Sequence, residues 1–573
     1  MDKKHNNRRE LAVYAIFACL FVAVFLKIFY LQVFRSNFFQ NLAQNQHYRL
    51  VPLEAKRGSI FDRQGRILAA GINYYSVFAD PLLIVNPKLT TEIISSNLKL
   101  PKAVILSKLK KKNRFAWIKR KISLEEKEKL RALNIEGIGF IREQKRFYPQ
   151  ESLAASVVGI VDIDSKGLEG LELFYNNYLS GKDGWARVLQ DSSSREIIIS
   201  SQVITPQEGA DIVLTIDAQM EYWVENCLES AVRKFDAQGG SAIIMDASSG
   251  EILALANYPS FNPNHLVPSS LGKVKNKAIC DMFEPGSVFK IVTLISSIAE
   301  NKFSDEDKIF CENGAFKIPG SILHDWKPYG TLSFKEVFMK SSNIGVAKVA
   351  NSVGPKTFHR YVKLLGFGEL TGIDLPGEIR GDFKPLKEWS KTSPYIIPIG
   401  QEIGVNLVQL ARAFATIPNG GYLVKPFIVK SICSRGFCKT ISHQKQKIFS
   451  SSIADRAKNI LLGVVESGTG KSAAIKGRKI GGKTGTAQKY DPATGSYSPT
   501  RYRATFIGFI ADLDPPLVIA VTIDEPRKSH FGGVVAAPVF KEISQKIINY
   551  IEGQGRQEIN DSNQAVSFGV TNN

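Results

Sequence analysis

The sequence predicts a multidomain α+β protein carried by a single N-terminal transmembrane helix. Three observations predict it. Residues 11–34 form one long apolar run behind a basic N-terminus. Residues 35–205 mix short strand-like pieces with glycine-containing turns, and residues 206–552 hold two apolar hairpins, one near each end, with helices between them. Strands at both ends and helices in the middle suggest one sheet assembled from sequence-distant hairpins.

The stretch 11–26 (LAVYAIFACLFVAVFL) is uncharged, and after Lys27 the apolar character resumes through Phe34. The twenty-four residues of 11–34, at about 1.5 Å each, extend roughly 36 Å, enough to cross a bilayer with some tilt. Lys27 lies towards one end, where its stem can snorkel to the headgroups. The run is too long for the core of a cleaved signal peptide, and no A-x-A-like site follows it. Lys3, Lys4, Arg8 and Arg9 precede the span, which predicts a cytoplasmic N-terminus and residues 35–573 outside the cytoplasm.

The external body is large. At about 150 residues per domain, a chain of 573 residues suggests three or four domains. A 44% hydrophobic content supplies a large core and excludes a mainly disordered chain, and six cysteines exclude a disulfide-dense scaffold. The net charge of +20 points to an anionic partner. Much of it is local: between Lys99 and Lys121 stand ten basic residues and no acidic one. This falls in a basic helical stretch near 101–134 and reads as a solvated or membrane-facing surface of an accessory domain. No zinc-finger or RNA-binding pattern supports a nucleic-acid partner. Seven histidines are dispersed without H-x-x-x-H spacing, so no metal site is expected. Cys433 and Cys438 are close enough for a small disulfide-closed loop in an oxidising compartment.

The hairpins are 241–246 (SAIIMD) with 251–256 (EILALA), and 506–511 (FIGFIA) with 517–523 (LVIAVTI). Between them, 288–298 and 406–416 read as helices. From about Gly553 the chain turns polar and is expected to fray.

Three short motifs can carry chemistry. In Glu284-Pro285-Gly286-Ser287-Val288-Phe289-Lys290, proline and glycine end an irregular segment and the run VFKIVTLISSIA is apolar on nearly every side, so the helix is buried. Ser287 and Lys290 share one face of its first turn. A lysine acts as base only when neutral, and moving its pKa from about 10.4 to about 7 costs roughly 4–5 kcal/mol. Burial and a second nearby cation can supply that shift. S-x-x-K is weak alone, because it recurs at Ser107/Lys110, Ser270/Lys273 and Ser442/Lys445. Only at Ser287 does the lysine enter a strongly apolar helix.

Ser341-Ser342-Asn343 opens another apolar stretch and offers a hydroxyl for proton relay and an amide for a lysine and a substrate amide. A second S-S-N, Ser95-Ser96-Asn97, lies in a polar region and reads as a turn. Lys483-Thr484-Gly485-Thr486 sits in the strand-like run KIGGKTGTAQKY. A cation and a hydroxyl beside a glycine suit carboxylate recognition on an exposed strand, with Gly485 clearing the substrate's path. Gly468-Thr469-Gly470-Lys471-Ser472 mimics a phosphate loop, but the glycine that loop needs at 465 is Val465.

Taken in order, the three motifs resemble the S-x-x-K, S-x-N and K-T-G set of penicillin-binding proteins and serine β-lactamases. The whole chain resembles the class B penicillin-binding proteins, which implies a cytoplasmic tail (1–10), a span (11–34), an elongated α+β pedestal or dimerisation domain (35–205), a transpeptidase domain (206–552) built on an antiparallel sheet covered by helices on both faces, and a polar tail (553–573). Arg57-Gly58-Ser59-Ile60-Phe61-Asp62-Arg63 through Leu68-Ala69, Arg146-Phe147-Tyr148-Pro149 and Gly167-Leu168-Glu169-Gly170-Leu171-Glu172 resemble the family's pedestal motifs, which are structural. Phe115–Arg120 (FAWIKR), 483–489 (KTGTAQK) and 532–540 (GGVVAAPVF) resemble the division-specific FtsI subclass, whose elongation-specific relatives share the catalytic set.

The resemblance implies a nucleophile at Ser287, its base at Lys290, a proton relay at Ser341, and Asn343 positioning Lys290 and the donor peptide. Lys483 and Thr484 would bind the terminal carboxylate of the peptide or of an inhibitory β-lactam, and the N–H groups of Ser287 and Thr486 would form the oxyanion hole. No cofactor or metal is implied. The implied partners are peptidoglycan stem peptides (a D-Ala-D-Ala donor and an amine acceptor), an FtsW-type glycosyltransferase and other division proteins. The implied location is the septal cytoplasmic membrane, with the catalytic domain outside. A hydrolase, either a β-lactamase or a carboxypeptidase, is the alternative; its deacylating glutamate would be Glu402 in an approximate E-x-x-L-N context ending at Asn406. A β-lactam sensor or scaffold without turnover is the non-enzymatic alternative.

Overall fold

The computed structural model describes residues 3–39, 48–190, 196–491 and 494–568. They divide into two compact units, Met1–Lys56 with Gly181–Gly209, and Arg57–Ser180 with Ala210–Asn573. The first unit holds the helix Lys3–Phe29, which ends in one π turn at Tyr30–Phe34. Its segment Glu10–Phe34 is long and apolar enough to cross a bilayer and is unburied. The same unit contains a three-stranded antiparallel sheet of Tyr48–Leu53, Gly184–Gln190 and Glu196–Ile204.

In the second unit, Ile67–Ala79 pairs with Ala116–Ile122 and with Ile138–Phe147. Through Ile60–Phe61 the sheet continues to Asp211–Leu214 and then to the hairpin Val429–Ser434/Phe437–Thr440, so one sheet runs across the boundary expected at 205/206. Cys433 and Cys438 face each other in that hairpin and are joined as a disulfide.

The stretch 101–134 differs from expectation. Helices Lys102–Leu109 and Leu124–Ala132 flank a strand, Ala116–Ile122. Ala116, Ile118 and Ile122 are buried, and their even spacing is the period of a strand with one face on a core. Its basic residues are partly neutralised, Lys119 by Glu126 and Arg120 by Glu143 and Asp164. Lys110, Lys111, Lys112 and Arg114 are exposed. Ser95, Ser96 and Asn97 lie in the last turns of the helix Pro87–Leu98 rather than in a turn, because their side chains donate to nearby carbonyls, Ser95 to Leu100 and the other two to Ile93.

The three pedestal motifs converge on one carboxylate. Glu172, fully buried, accepts from Arg57 Nε at 2.7 Å and from Arg146 Nε at 2.5 Å. Arg57 also donates to the Glu172 carbonyl and to Asn176, and Arg146 donates to the Gly58 carbonyl.

The principal sheet has five antiparallel strands: β1 (Gly239–Asp246), β2 (Ile252–Tyr258), β3 (Ile480–Asp491), β4 (Ser496–Ile510) and β5 (Leu517–Asp524), in the spatial order β2-β1-β5-β4-β3. Both expected hairpins are present, and β1 meets β5 with Ala242 opposite Val521. Alternation along each strand splits the core. Ile243, Met245, Ile507 and Ala520 join the large cluster that includes the helices Lys290–Ala299 and Leu407–Ala415. Ala242, Ile244 and Val521 pack with Ala218–Phe235 and the start of Gly532–Phe568. Helices therefore cover both faces, as the family resemblance implied. The last helix runs through Gly553 to Phe568 instead of fraying at 553, its later part containing no proline to stop it; residues 569–573 lie outside the described residues.

Candidate active site

Ser287 lies on a 3₁₀ turn, Gly286–Phe289, and Lys290 begins the α-helix that follows. The expected helical turn is thus the tighter kind, in which positions three apart eclipse one another. Gly286 makes this turn possible. Its φ is +56°, its N–H donates to the Gly400 carbonyl, and a Cβ on Gly400 would lie 2.1 Å from the Gly286 oxygen.

Lys290 is fully buried, and its Nζ donates to the Ser341 carbonyl at 2.7 Å, to Ser341 Oγ at 3.2 Å and to Asn343 Oδ1 at 2.7 Å. Loss of hydration brings its pKa down to about 7, against the weaker opposing pull of Asp325. No hydrogen bond joins Lys290 to Ser287 among the described residues. The amine is held beside the serine by the second motif.

Ser341 has φ +58°, a strained conformation for serine that costs about 1–3 kcal/mol. It lies between the helices Phe334–Met339 and Asn343–Val353, with Ser342 as N-cap of the latter. Asp325, not singled out from the sequence, secures this junction: its carboxylate accepts from Ser342 Oγ at 2.7 Å and from the N–H groups of Asn343 and Ile344. Asn343 Nδ2 donates to the His324 carbonyl, leaving Oδ1 for Lys290. Nothing in the local pattern marks Asp325, because it precedes the motif by a hairpin's length.

The third motif lies on β3, at the edge of the sheet. Lys483, buried, donates to Ser341 Oγ at 2.8 Å. Burial, and then the charge of Lys290, hold its pKa well below the ordinary lysine value. Thr484 Oγ1 is 3.0 Å from Thr469 Oγ1. The phosphate-loop mimic therefore contributes a hydroxyl to this site, which sequence reasoning missed. A Cβ on Gly485 would meet Pro285 O at 3.0 Å and Val288 Cγ1 at 3.1 Å, so the glycine lets β3 approach the serine turn. The Thr486 hydroxyl accepts from Gly532 N–H at 3.0 Å.

Ser287, Asn343 and Thr486 line one cavity of about 330 Å³, closed on one side by Tyr502 stacked on His530. The structure thus brings together Ser287, Lys290, Ser341, Asn343, Lys483, Thr484, Gly485 and Thr486 from four separate elements. Of the other S-x-x-K pairs, Ser107, Lys110, Ser442 and Lys445 are exposed. Glu402 lines a neighbouring cavity instead, with its carboxylate accepting from Ser393. Asn406, buried, caps the helix Leu407–Ala415 in a reciprocal pair with Gln409. Among the described residues no cluster of metal-ligating side chains occurs.

A serine on a helix-opening turn, a buried amine one turn on, and a lysine-bearing edge strand suit the chemistry of a serine acyltransferase. Residues 240–545 match the family model of the penicillin-binding protein transpeptidase domain, and residues 52–214 match that of the penicillin-binding protein dimerisation domain. The chain is 34% identical over 549 residues to the probable peptidoglycan D,D-transpeptidase PbpC of Pseudomonas aeruginosa, covering 95% of each. It is 30% identical to peptidoglycan D,D-transpeptidase FtsI of Buchnera aphidicola, again with 95% of each covered. A crystal structure of penicillin-binding protein 3 from Mycobacterium tuberculosis, complexed with aztreonam, superposes with a TM-score of 0.70 at 28% identity, over 88% of this chain and 97% of that one. The chain belongs to the class B penicillin-binding proteins, a family of serine-type peptidoglycan D,D-transpeptidases.

Proposed function

We propose that the protein crosslinks peptidoglycan stem peptides at the division septum and is inhibited by β-lactams. Ser287 attacks the carbonyl between the two terminal D-alanines of the donor, Lys290 accepts its proton, and Ser341 relays a proton to the departing D-alanine. Asn343 positions Lys290 and the donor peptide. Lys483 and Thr484 bind the terminal carboxylate, and the N–H groups of Ser287 and Thr486 receive the oxyanion, each donor contributing about 2.7–4 kcal/mol. A stem-peptide amine then resolves the ester.

The observation that carries this reading is the buried Lys290 amine, its pKa brought down to about 7, sharing the Ser341 hydroxyl with Lys483. Only a neutral amine can take the serine's proton. Incubation with lipid-linked pentapeptide strands, followed by mass analysis, is expected to yield crosslinked dimers that are absent with Ser287→Ala. Trimmed tetrapeptides alone would mean a carboxypeptidase. The position of Glu402 outside the Ser287 cavity argues against the hydrolase.

The division assignment rests on the similarity to FtsI and on the stretches at 115–120, 483–489 and 532–540. In it, residues 11–34 anchor the chain in the cytoplasmic membrane with the N-terminus inside, residues 35–205 form the pedestal, and residues 206–552 are the extracytoplasmic catalytic domain. An FtsW-type glycosyltransferase and other division proteins are the partners. Depletion is expected to give filaments; rounded cells would move the protein to elongation. Co-purification that survives deletion of residues 11–205 would remove the proposed partner.

A further inference from the structure

The second motif has an aromatic neighbour that the catalytic set leaves unused. After the hairpin of Ala315–Ile318 and Ser321–His324, the chain passes through Asp325-Trp326-Lys327-Pro328-Tyr329 before it enters the helix that ends beside Ser341. This passage is tied to the site. The Asp325 carboxylate and the His324 carbonyl hold the start of the Asn343 helix. The Asp325 N–H donates to the Gly314 carbonyl at 3.2 Å, and a Cβ on Gly314 would lie 2.9 Å from Pro328 Cα. Trp326 is fixed as well, because its indole N–H donates to the Lys340 carbonyl at 3.1 Å. Yet Trp326 is 56% exposed. Its one donor is spent on a backbone carbonyl while much of its apolar area stays in water, so the ring contributes little to the core.

The surroundings of the ring say what fits it. Tyr329 meets it edge-on, with centroids 6.3 Å apart. The Lys327 ammonium stands 4.6 Å from the Trp326 centroid and that of Lys340 stands 6.0 Å from Tyr329, while His324 is exposed beside them. Two rings that cover at most about 150–250 Å² each fall short of the roughly 800 Å² per partner of a stable protein interface. A small apolar face fringed by hydrogen-bond donors matches a pyranose instead, whose C–H face is apolar and whose edge carries hydroxyl and acetamido oxygens.

The position supplies the source. Consecutive Cα atoms are about 3.8 Å apart, so the indole, bonded to Lys340, stands within roughly 12 Å of the Ser341 hydroxyl. An extended peptide covers that distance in about four residues. The Lys483 side of Ser341 belongs to β3, along which the donor lies in the proposed reaction. The Lys340 side is left for the other strand.

We propose that Trp326 and Tyr329 form a saccharide platform that seats an N-acetyl sugar of the acceptor strand, placing its stem-peptide amine at the acyl-enzyme. The inference rests on the transpeptidase reading above and adds a glycan contact to it.

The test uses a sugar-free N-acyl-D-alanyl thioester as donor and two acceptors: a stem tripeptide with a free side-chain amine, bare or carrying its disaccharide of N-acetyl sugars. Crosslinked product is measured as kcat/KM for the acceptor. The disaccharide is expected to raise this value about tenfold in the wild-type protein, the upper worth of a stacked ring. In Trp326→Ala the ratio falls to about one, while acylation by a fluorescent penicillin and the rate with the bare acceptor stay within twofold of wild type. Trp326→Phe, which keeps a ring, retains most of the ratio. Equal use of both acceptors by the wild-type protein, or a ratio that persists in Trp326→Ala, would overturn the platform. Should Trp326→Ala fail to fold, shown by lost penicillin acylation, Trp326→Leu is expected to abolish the ratio in its place, and the wild-type ratio still decides. An advantage that appears only when the disaccharide is moved to the donor would overturn the assignment to the acceptor strand. Hydrolysis of the donor with no crosslinked product from either acceptor would instead overturn the transpeptidase reading on which the platform stands.

Discussion

Lys290 and Lys483 donate to one and the same oxygen, Ser341 Oγ, at 3.2 and 2.8 Å. Two full charges that close repel by on the order of 3 kcal/mol at an effective dielectric of about 20. Burial lowers both further. Lys290 comes down to about 7 and Lys483 falls well below the ordinary lysine value, with the Ser341 hydroxyl bridging the two amines.

Replacing Ser341 by alanine removes the bridge while leaving both lysines in place. Acylation by a fluorescent penicillin is expected to slow by about 10²–10⁴, the usual worth of a positioned proton-transfer group. A rate within twofold of wild type would exclude the relay.

Acylation should also report the charge of Lys290. Below a pH of about 7, the rate constant is expected to fall tenfold per unit, and above it to level off. Asp325 raises the Lys290 pKa, so Asp325→Asn should move the inflection downwards. Stability follows a related window. The folded chain holds fewer protons than the unfolded one between pH about 7 and about 10.4, so unfolding free energy rises with pH across that range. Lys290→Met should flatten that slope in denaturant titrations.

Gly485→Ala places a methyl group 3.0 Å from the Pro285 carbonyl without backbone strain. β3 must then move away from the serine turn by a few tenths of an ångström. About a tenfold loss of acylation rate is expected, with the melting temperature little changed, because positioning and not folding is disturbed.

Glu172→Gln leaves the buried Arg57 and Arg146 facing each other without their shared anion. Removing one partner of a buried charge cluster costs about 3–5 kcal/mol. Differential scanning calorimetry of the full chain should show the pedestal transition lowered, and a change within the error of measurement would make the cluster dispensable.

Much of this was legible in the sequence because local signals agreed with the fold. The apolar run from Leu11, the hairpins around Gly250 and Pro515, and the K-T-G strand each carry a period or turn chemistry that tertiary contacts reinforce. Ala116–Ile122 was not, since its alternation is masked by Lys119, Arg120 and Lys121; Lys119 pairs with Glu126 of the next helix, and Arg120 with Glu143 and Asp164 further along the chain. Asp325 and Thr469 escaped notice for the same reason, because each joins the site through a contact made in space. The close approach of Gly485 to the serine turn was not legible either, because a missing side chain gives no hint of which neighbour it admits.

The order β2-β1-β5-β4-β3 has a consequence for how the protein comes into being. The hairpin that contains Ala242 waits for Val521 before it gains its inner neighbour, and the entropy of closing so long a loop must be met before any pairing compensates it. The reacting serine thus emerges from the ribosome well before the strand that completes its pocket, and nascent chains cut short of β5 are expected to be inert towards penicillin however long they are left to fold.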